Sequence, residues 1–345
     1  MPSVPLWYSF FMFIANDFPS FKTLFIDGLK NMLADDQLGA FILVLANSMQ
    51  DEELMRALSP ALEKNFIALK QRHLAGELNA TDDDSDVFDK LLSLDMDRSM
   101  HNLPTWKAHD IGRWRAVVNP MRSLRPPRAS NQRHSSIYAD FDPGAFNFNK
   151  PFLRPEILWQ GEYAGSKVRV LYNKFPFVAY HTIVVIEPDE QKPHVIDQAI
   201  HEYVWSLVED AGSSIPGFGI GFNSLAAGAS VNHQHFQGFI DEQPLAVEVI
   251  AAEDYPVELS VCEDSESAWR QIEYCLQQDI AFNCIYRRGR CYLLPRRYQG
   301  EVKLPGWLQG TGWSDLAGLF MMPDESVVHG LDDAGVTETL RSLRR

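Results

Sequence analysis

Residues 222–239 read FNSLAAGASVNHQHFQGF, and within them His233, His235 and Gln237 occupy alternate positions behind a small-residue loop that holds Gly228 and Ser230. In an extended strand, side chains at i, i+2 and i+4 share one face, so this spacing predicts two imidazoles and an amide converging on one spot. The residue types suit phosphate chemistry. A neutral imidazole can attack phosphorus without a strong base and give a covalent nucleotidyl-histidine. Only one of the two rings can be that nucleophile. The other ring and the amide NH2 of Gln237 can donate hydrogen bonds to phosphate oxygens as charge shifts onto them. Gly228, set between Ala227 and Ala229, lets backbone N–H groups approach an anion, and Ser230 adds a hydroxyl donor.

A His-x-His pair alone is a weak signal, expected by chance in roughly one chain in four with this histidine content. The Gln at the next alternate position and the loop ahead of it raise the specificity. Alternating histidines on a strand also bind zinc, yet no CxxC or HExxH motif supplies the remaining ligands. The residues therefore demand no metal, and phosphate chemistry calls for no redox cofactor.

The GFNSLAAGASVNHQHFQGF run resembles the histidine-triad superfamily in its transferase branch, where Gln replaces the third histidine of the hydrolases. Its NSL and NHxHxQ elements are most similar to the GDP-hexose phosphorylases, the GDP-L-galactose and GDP-D-glucose phosphorylase group. FDPGAFNFNK at 141–150 and FNCIYRRGRCYLLPRR at 282–297 resemble further segments of those proteins, so the likeness covers residues 111–300 in patches. The resemblance implies that His235 is the nucleophile, that His233 and Gln237 orient it and hold the phosphate, and that Asn223, Gly228 and Ser230 line the phosphate loop. It also implies a guanine nucleotide sugar and inorganic phosphate as the small-molecule partners. The GAS loop is shared in kind with dinucleoside-polyphosphate phosphorylases, which leaves the leaving group open.

Composition sets the limits around this centre. A formal charge of -15 and a pI near 5.1 argue against a nucleic-acid partner, while a small phosphorylated ligand needs only a local group of donors. Arg113, Arg115, Arg122, Arg125, Arg128 and Arg133 form one such group, with Arg122 the candidate phosphate or guanine contact; Arg296 and Arg297, after Pro295, are candidates for the sugar phosphate. A solvated basic loop is the competing reading of both. Four irregularly spaced cysteines form no disulfide framework and point to reduced, partly buried thiols in a cytoplasmic protein. The apolar N-terminus lacks a basic n-region, and GAFILVLAN at 39–47 is too short to span a bilayer, so neither a signal peptide nor a membrane anchor is expected.

The elements that must carry these residues divide the chain into a helical segment with a linker (1–104), a histidine-triad-like half (105–244) and a second half-domain with a tail (245–345). The fold class expected is α+β: an antiparallel sheet with packed helices, in two half-domains, behind an N-terminal helical segment. Apolar residues recur at helical spacing over 18–75, and TDDDSD at 81–86 reads as a linker in which Ser85 or Asp86 caps a helix at VFDKLLSL. The Pro- and Arg-rich stretch 105–155 reads as long ordered loops. Strands are expected at 167–173, 180–187, 217–223 and 230–240, with a helix opened by Pro193. His181, at the start of a strand, is expected to make a structural hydrogen bond. The glycines of GFGIG are expected to permit a close approach near the ligand, since no helix or acidic residue follows as a dinucleotide site requires. The second half is expected to repeat the plan as a strand at LAVEVIA, a helix at SAWRQIEYCLQQDIAF and a hairpin at 282–297. The N-terminal helices suit a homodimer contact or an accessory cap equally.

The expected reaction is nucleotidyl transfer through nucleotidyl-His235, most specifically phosphorolysis of a GDP-hexose. Dinucleoside-polyphosphate phosphorolysis and hexose-1-phosphate nucleotidyl transfer are alternatives of the same chemistry. Hydrolysis is disfavoured by Gln237, which cannot protonate a leaving group. A regulator that binds the nucleotide without turning it over is the alternative from another class.

Overall fold

The computed structural model describes residues 13–93, 103–124, 134–308 and 310–345. Its frame is one antiparallel sheet of eight strands in the order β3-β4-β5-β7-β6-β9-β10-β8. The strands are β3 (Ile157–Tyr163), β4 (Ser166–Tyr172), β5 (Thr182–Ile186), β6 (Phe218–Asn223), β7 (Phe236–Ile240), β8 (Ser260–Cys262), β9 (Phe282–Arg287) and β10 (Arg290–Pro295). β5 reads TIVVI, apolar or β-branched throughout and buried at every position, as a strand covered on both faces must be. Ile157, Leu171, Ile183 and Gln237 are successive register partners across β3, β4, β5 and β7, and Gly221 of β6 continues the row.

Two helices cover one face. α5 (Gln198–Ser214) starts where the Asp197 side chain accepts from the Ile200 N–H at 2.8 Å, and α7 (Ser265–Gln277) is capped in the same way by Asp264. The N-terminal segment forms α1 (Phe18–Met32), α2 (Leu38–Ser48), α3 (Glu52–Leu74) and α4 (Asp82–Ser93). These share one hydrophobic core with the sheet, in which Phe25 and Tyr172 meet at 4.8 Å between ring centroids. Polar contacts fix the docking: Tyr172 Oη donates to the Phe25 carbonyl (2.7 Å), and Tyr180 Oη to the Asp51 carboxylate that caps α3 (2.9 Å).

The C-terminal segment returns to build a second, three-stranded sheet from β1 (Lys107–Ile111), β2 (Trp114–Val118) and β11 (Leu319–Met322), with β11 parallel to β2. α6 (Ala246–Val249) and α8 (Trp313–Leu316) precede β11, and α9 (Glu325–His329) and α10 (Asp333–Arg341) follow it. Trp114, Trp313, Phe320 and Leu340 belong to the core beneath this sheet. Among the described residues no helix is long and apolar enough to cross a membrane. All four cysteines are free and buried.

The α+β class, the antiparallel sheet and the helical N-terminal segment agree with the sequence reading, and several boundaries do not. TDDDSD is no linker: α4 begins at Asp82, Thr81 Oγ1 accepts from the Asp84 N–H, and three acidic side chains sit favourably in the first turn. α5 begins at Gln198 rather than at Pro193, because Asp197 is the cap. The 105–155 stretch contains the β1–β2 hairpin as well as loops. LAVEVIA forms the short helix α6, closed when Glu248 accepts from the Leu245 N–H at 2.8 Å, while α7 and the β9–β10 hairpin stand where the sequence placed them. The last strand of the motif begins only at Phe236. Residues 230–235 pair instead with neighbouring loops: the Asn232 side chain accepts from the His194 N–H (2.9 Å), and Gln234 Nε2 donates to the Val195 carbonyl (2.5 Å).

Candidate active site

A cavity of about 1550 Å³ opens over the row of residues that crosses the sheet, and His235, Gln237, Asn223, Gly228 and Ser230 all line it. The expected group is thus brought together, with His233 set behind it. His235 enters on the extended segment ahead of β7, 6% exposed, and its Nδ1 lies 2.7 Å from the His233 carbonyl. A carbonyl only accepts, so Nδ1 carries the proton and Nε2 keeps the lone pair. Burial, with the neighbouring His194 ring as the second cause, holds the His235 pKa well below the usual imidazole value. The ring is neutral at physiological pH, as a nucleophile toward phosphorus must be.

His194 completes this arrangement and was not singled out from the sequence. Its ring stacks on His235 at 4.3 Å and 29°; its Nε2 donates to the Asn223 carbonyl (2.7 Å) and its Nδ1 accepts from the His235 N–H (3.4 Å). The accepting Nδ1 requires the neutral ring, and burial lowers its pKa to about 4. His233 orients His235 as expected, but from its backbone, and its ring stands off the cavity. Its side chain is 1% exposed, and Nδ1 accepts from the Phe148 N–H at 3.1 Å, with burial and then the Arg169 charge lowering its pKa to about 4. It anchors Phe148, which packs on His235 at 4.9 Å, and orients His235 through its own backbone carbonyl.

Gln237 is oriented from the far end of the chain. Trp313 Nε1, a donor only, gives a 2.6 Å hydrogen bond to Gln237 Oε1, which assigns the amide oxygen and leaves the NH2 as the group free to donate. Trp313 reaches this position because Gly221 has no side chain: a Cβ there would lie 2.2 Å from the indole. The close approach expected at GFGIG is therefore made by Trp313. Asn223 Oδ1 accepts from the Trp313 N–H (2.7 Å) and from Asn283 Nδ2 (2.6 Å), and Asn283 also donates to the Ala227 carbonyl (2.9 Å), holding the loop. Gly228 adopts φ +107° with the Thr311 carbonyl 2.7 Å from where a Cβ would stand, so the loop needs glycine there.

The arginine expectations are corrected by where these side chains point. Arg296 is 2% exposed and lies off the cavity; it donates to the carbonyls of Thr311 (2.9 Å) and Arg297 (3.1 Å), and burial pushes its pKa down to about 10. By holding Thr311 it braces the wall behind Gly228. Arg297 faces outward and donates to the Arg344 carbonyl (2.7 Å). Arg113 pairs with Asp333 (3.0 Å) and Arg115 with Asp241, both away from the cavity. The Arg122 side chain and residues Arg125, Arg128 and Arg133 lie outside the described residues. His181 is buried beside Asn173 (3.4 Å) and the Phe177 N–H (3.4 Å), in the structural role expected.

Lys174 is the one Lys or Arg side chain on the cavity wall among the described residues, and it pairs with Asp84 at 2.6 Å. Among the described residues a phosphate at His235 therefore meets amide, hydroxyl and backbone donors rather than cations. The remaining wall is composite: α2 and α4 contribute Leu38, Gly39 and Asp84, the 146–156 loop contributes Phe148, Leu153 and Glu156, and the C-terminal segment contributes Trp307, Ser314 and Asp315. Among the described residues no cluster of three or more metal-ligating side chains occurs.

Residues 113–239 match the family model for a GDPGP1-like N-terminal domain. GDP-D-glucose phosphorylase 1 of Danio rerio is 36% identical over 136 residues, covering 39% of this chain and 38% of that protein. The Homo sapiens protein of the same name is 34% identical over 150 residues, covering 40% and 37%. The chain thus matches less than two-fifths of the length of these relatives, and over that part the resemblance carried by the NSL and NHxHxQ residues is borne out. A crystal structure of yeast Ap4A phosphorylase Apa2 aligns with a TM-score of 0.49 at 12% identity, covering 77% of this chain and 96% of that one.

Proposed function

We propose that the chain is a nucleotidyltransferase that phosphorolyses a GDP-hexose to GDP and hexose 1-phosphate through a nucleotidyl-His235 intermediate. The observation that carries this reading is the His235 ring itself. It is neutral, its Nδ1 proton is held by the His233 carbonyl, and it stands at the cavity beside the Gln237 amide. The relatives named GDP-D-glucose phosphorylase 1 support the choice of substrate.

Nε2 attacks the α-phosphorus, the bond from that phosphorus to the bridging oxygen breaks, and hexose 1-phosphate departs with the electron pair. The charge gained by the ring is shared with the His233 carbonyl through Nδ1–H. An oxygen of inorganic phosphate then attacks the same phosphorus, the N–P bond breaks, GDP leaves and the ring is neutral again. Hexose 1-phosphate is a good leaving group without protonation, so an amide at position 237 suffices: its NH2 stabilises the phosphoryl oxygens and supplies no proton.

The test is a panel of GDP-, UDP- and ADP-sugars and dinucleoside tetraphosphate, each with and without inorganic phosphate. Sustained release of hexose 1-phosphate from a GDP-hexose only when phosphate is present is the expected result. Turnover that is indifferent to phosphate, or a labelled nucleotide trapped on a residue other than His235, would sink the assignment.

A further inference from the structure

Resting on the proposed reaction, we infer that Glu156 is the residue that reads the base, accepting hydrogen bonds from the N1–H and 2-amino groups of guanine at the end of the cavity remote from His235.

The distance is set by the sheet. Gln237, Ile183, Leu171 and Ile157 lie on four neighbouring strands, so three strand spacings, about 14 Å, separate the phosphate end from the start of β3, where Glu156 stands. This matches an extended nucleoside monophosphate plus the reach of a glutamate side chain. Between the two ends the floor is apolar: Leu171 and Ile183 cluster with Phe148 and Leu153, and all four line the cavity. A flat purine can lie on such a floor, whereas a hexose would leave its hydroxyls without partners there. The opposite direction from His235 leads to Gln299, Ser314 and Asp315, which offer polar groups suited to a sugar.

Among the described residues no side chain or backbone group donates a hydrogen bond to the Glu156 carboxyl. Lys174 is committed to Asp84, and the Glu156 carboxyl makes no hydrogen bond or ion pair among the described residues. Burial raises its pKa to about 7, with the Lys174 charge opposing and Asp84 adding to the shift. A cavity carboxylate short of donors is complementary to a ligand edge that supplies two. Guanine presents adjacent N–H groups at the spacing of carboxylate oxygens, adenine presents a lone pair at N1, and uracil has a single N–H between carbonyls. The carboxylate thus favours guanine and rejects adenine by leaving it unpaired.

The experiment compares GDP-glucose, IDP-glucose (which lacks the 2-amino group) and ADP-glucose as substrates for the full chain and for Glu156→Gln. The native protein should prefer GDP-glucose over IDP-glucose by roughly tenfold or more in kcat/KM, as one charge-assisted hydrogen bond predicts. Glu156→Gln should lose most of that preference and narrow the gap to ADP-glucose, since a glutamine can pair with adenine. An equal fall on all three substrates, or an unchanged GDP to IDP ratio, overturns the inference. Should Glu156→Gln not fold, the native GDP to IDP ratio and the Glu156→Asp variant, which keeps the charge and shortens the reach, decide it. Failure of the proposed reaction is distinguishable: no hexose 1-phosphate then appears from any nucleotide sugar. Calorimetric affinities for GDP and IDP still report on the carboxylate in that case, and equal values refute its role.

Discussion

The two ends of the cavity are built on opposite principles. At the phosphate end three imidazoles are held neutral and tied to the backbone: His235 to the His233 carbonyl, His194 to the Asn223 carbonyl, His233 to the Phe148 N–H. At the far end Glu156 stands half-buried beside the Lys174–Asp84 ion pair, and among the described residues its carboxyl accepts no hydrogen bond. The first end is preorganised, since each ring has one tautomer and one orientation before substrate arrives, as covalent catalysis requires. The second is left electrostatically incomplete, and an incomplete carboxylate discriminates between ligands by what they donate.

The largest expected break in this contrast is His235→Ala. It removes the proposed nucleophile and should lower kcat for hexose 1-phosphate release by about 10³-fold or more, with the melting temperature near that of the native protein. Retained turnover would show that the preorganised end is not where the chemistry happens. Trp313→Phe comes next: it keeps the ring in the core but deletes the donor to Gln237 Oε1, so the amide is free to flip. Loss of one oriented transition-state donor predicts a fall in kcat of about 10- to 100-fold with KM little changed. A fall confined to KM would make Trp313 a binding residue only.

The pH profile separates the two ends directly. A carboxyl whose folded pKa is raised to about 7 is increasingly protonated below that pH, so KM for a GDP-hexose should rise roughly fivefold from pH 7 to pH 6 as the acceptor is lost. Lys174 and Asp84, paired with each other, are the charged groups that face Glu156. His235 is held neutral well below pH 6.5, so kcat at saturating substrate and phosphate should stay flat over the same range. A kcat that falls with a midpoint near 6.5 would mean that the ring titrates freely and is not held as its contacts imply. The smallest effect is expected for Arg113→Ala. It cuts an exposed ion pair to Asp333, so stability should change by less than about 1 kcal/mol and kinetics not at all. A rise in KM there would return the basic cluster to the binding site.

How much was legible follows from the range of the interactions. Helices α1 and α3 lie where apolar residues recur at helical spacing, and β5 lies where a β-branched run stands. His235, Gln237, Asn223, Gly228 and Ser230 fall within 15 residues of one another, and spacing alone grouped them before the fold was known. The errors came where a side chain bonds to something distant. Asn232 and Gln234 bind the 139–140 and 192–195 loops and hold residues 230–235 out of the strand. Arg296 looked like a phosphate ligand by type, and only its burial against Thr311 shows it bracing a loop instead.

The sequence by itself determined that two imidazoles and an amide stand at alternate positions behind a small-residue loop, and that the class carrying them is antiparallel α+β, because those signals lie in short windows of residue type and period. Tertiary structure alone decided that His194 stacks on His235, that Trp313 orients Gln237 from 76 residues away, and that Glu156 closes the same cavity three strands from the chemistry. Those pairings depend on register and on chain return, and neither is written into the spacing of neighbouring residues.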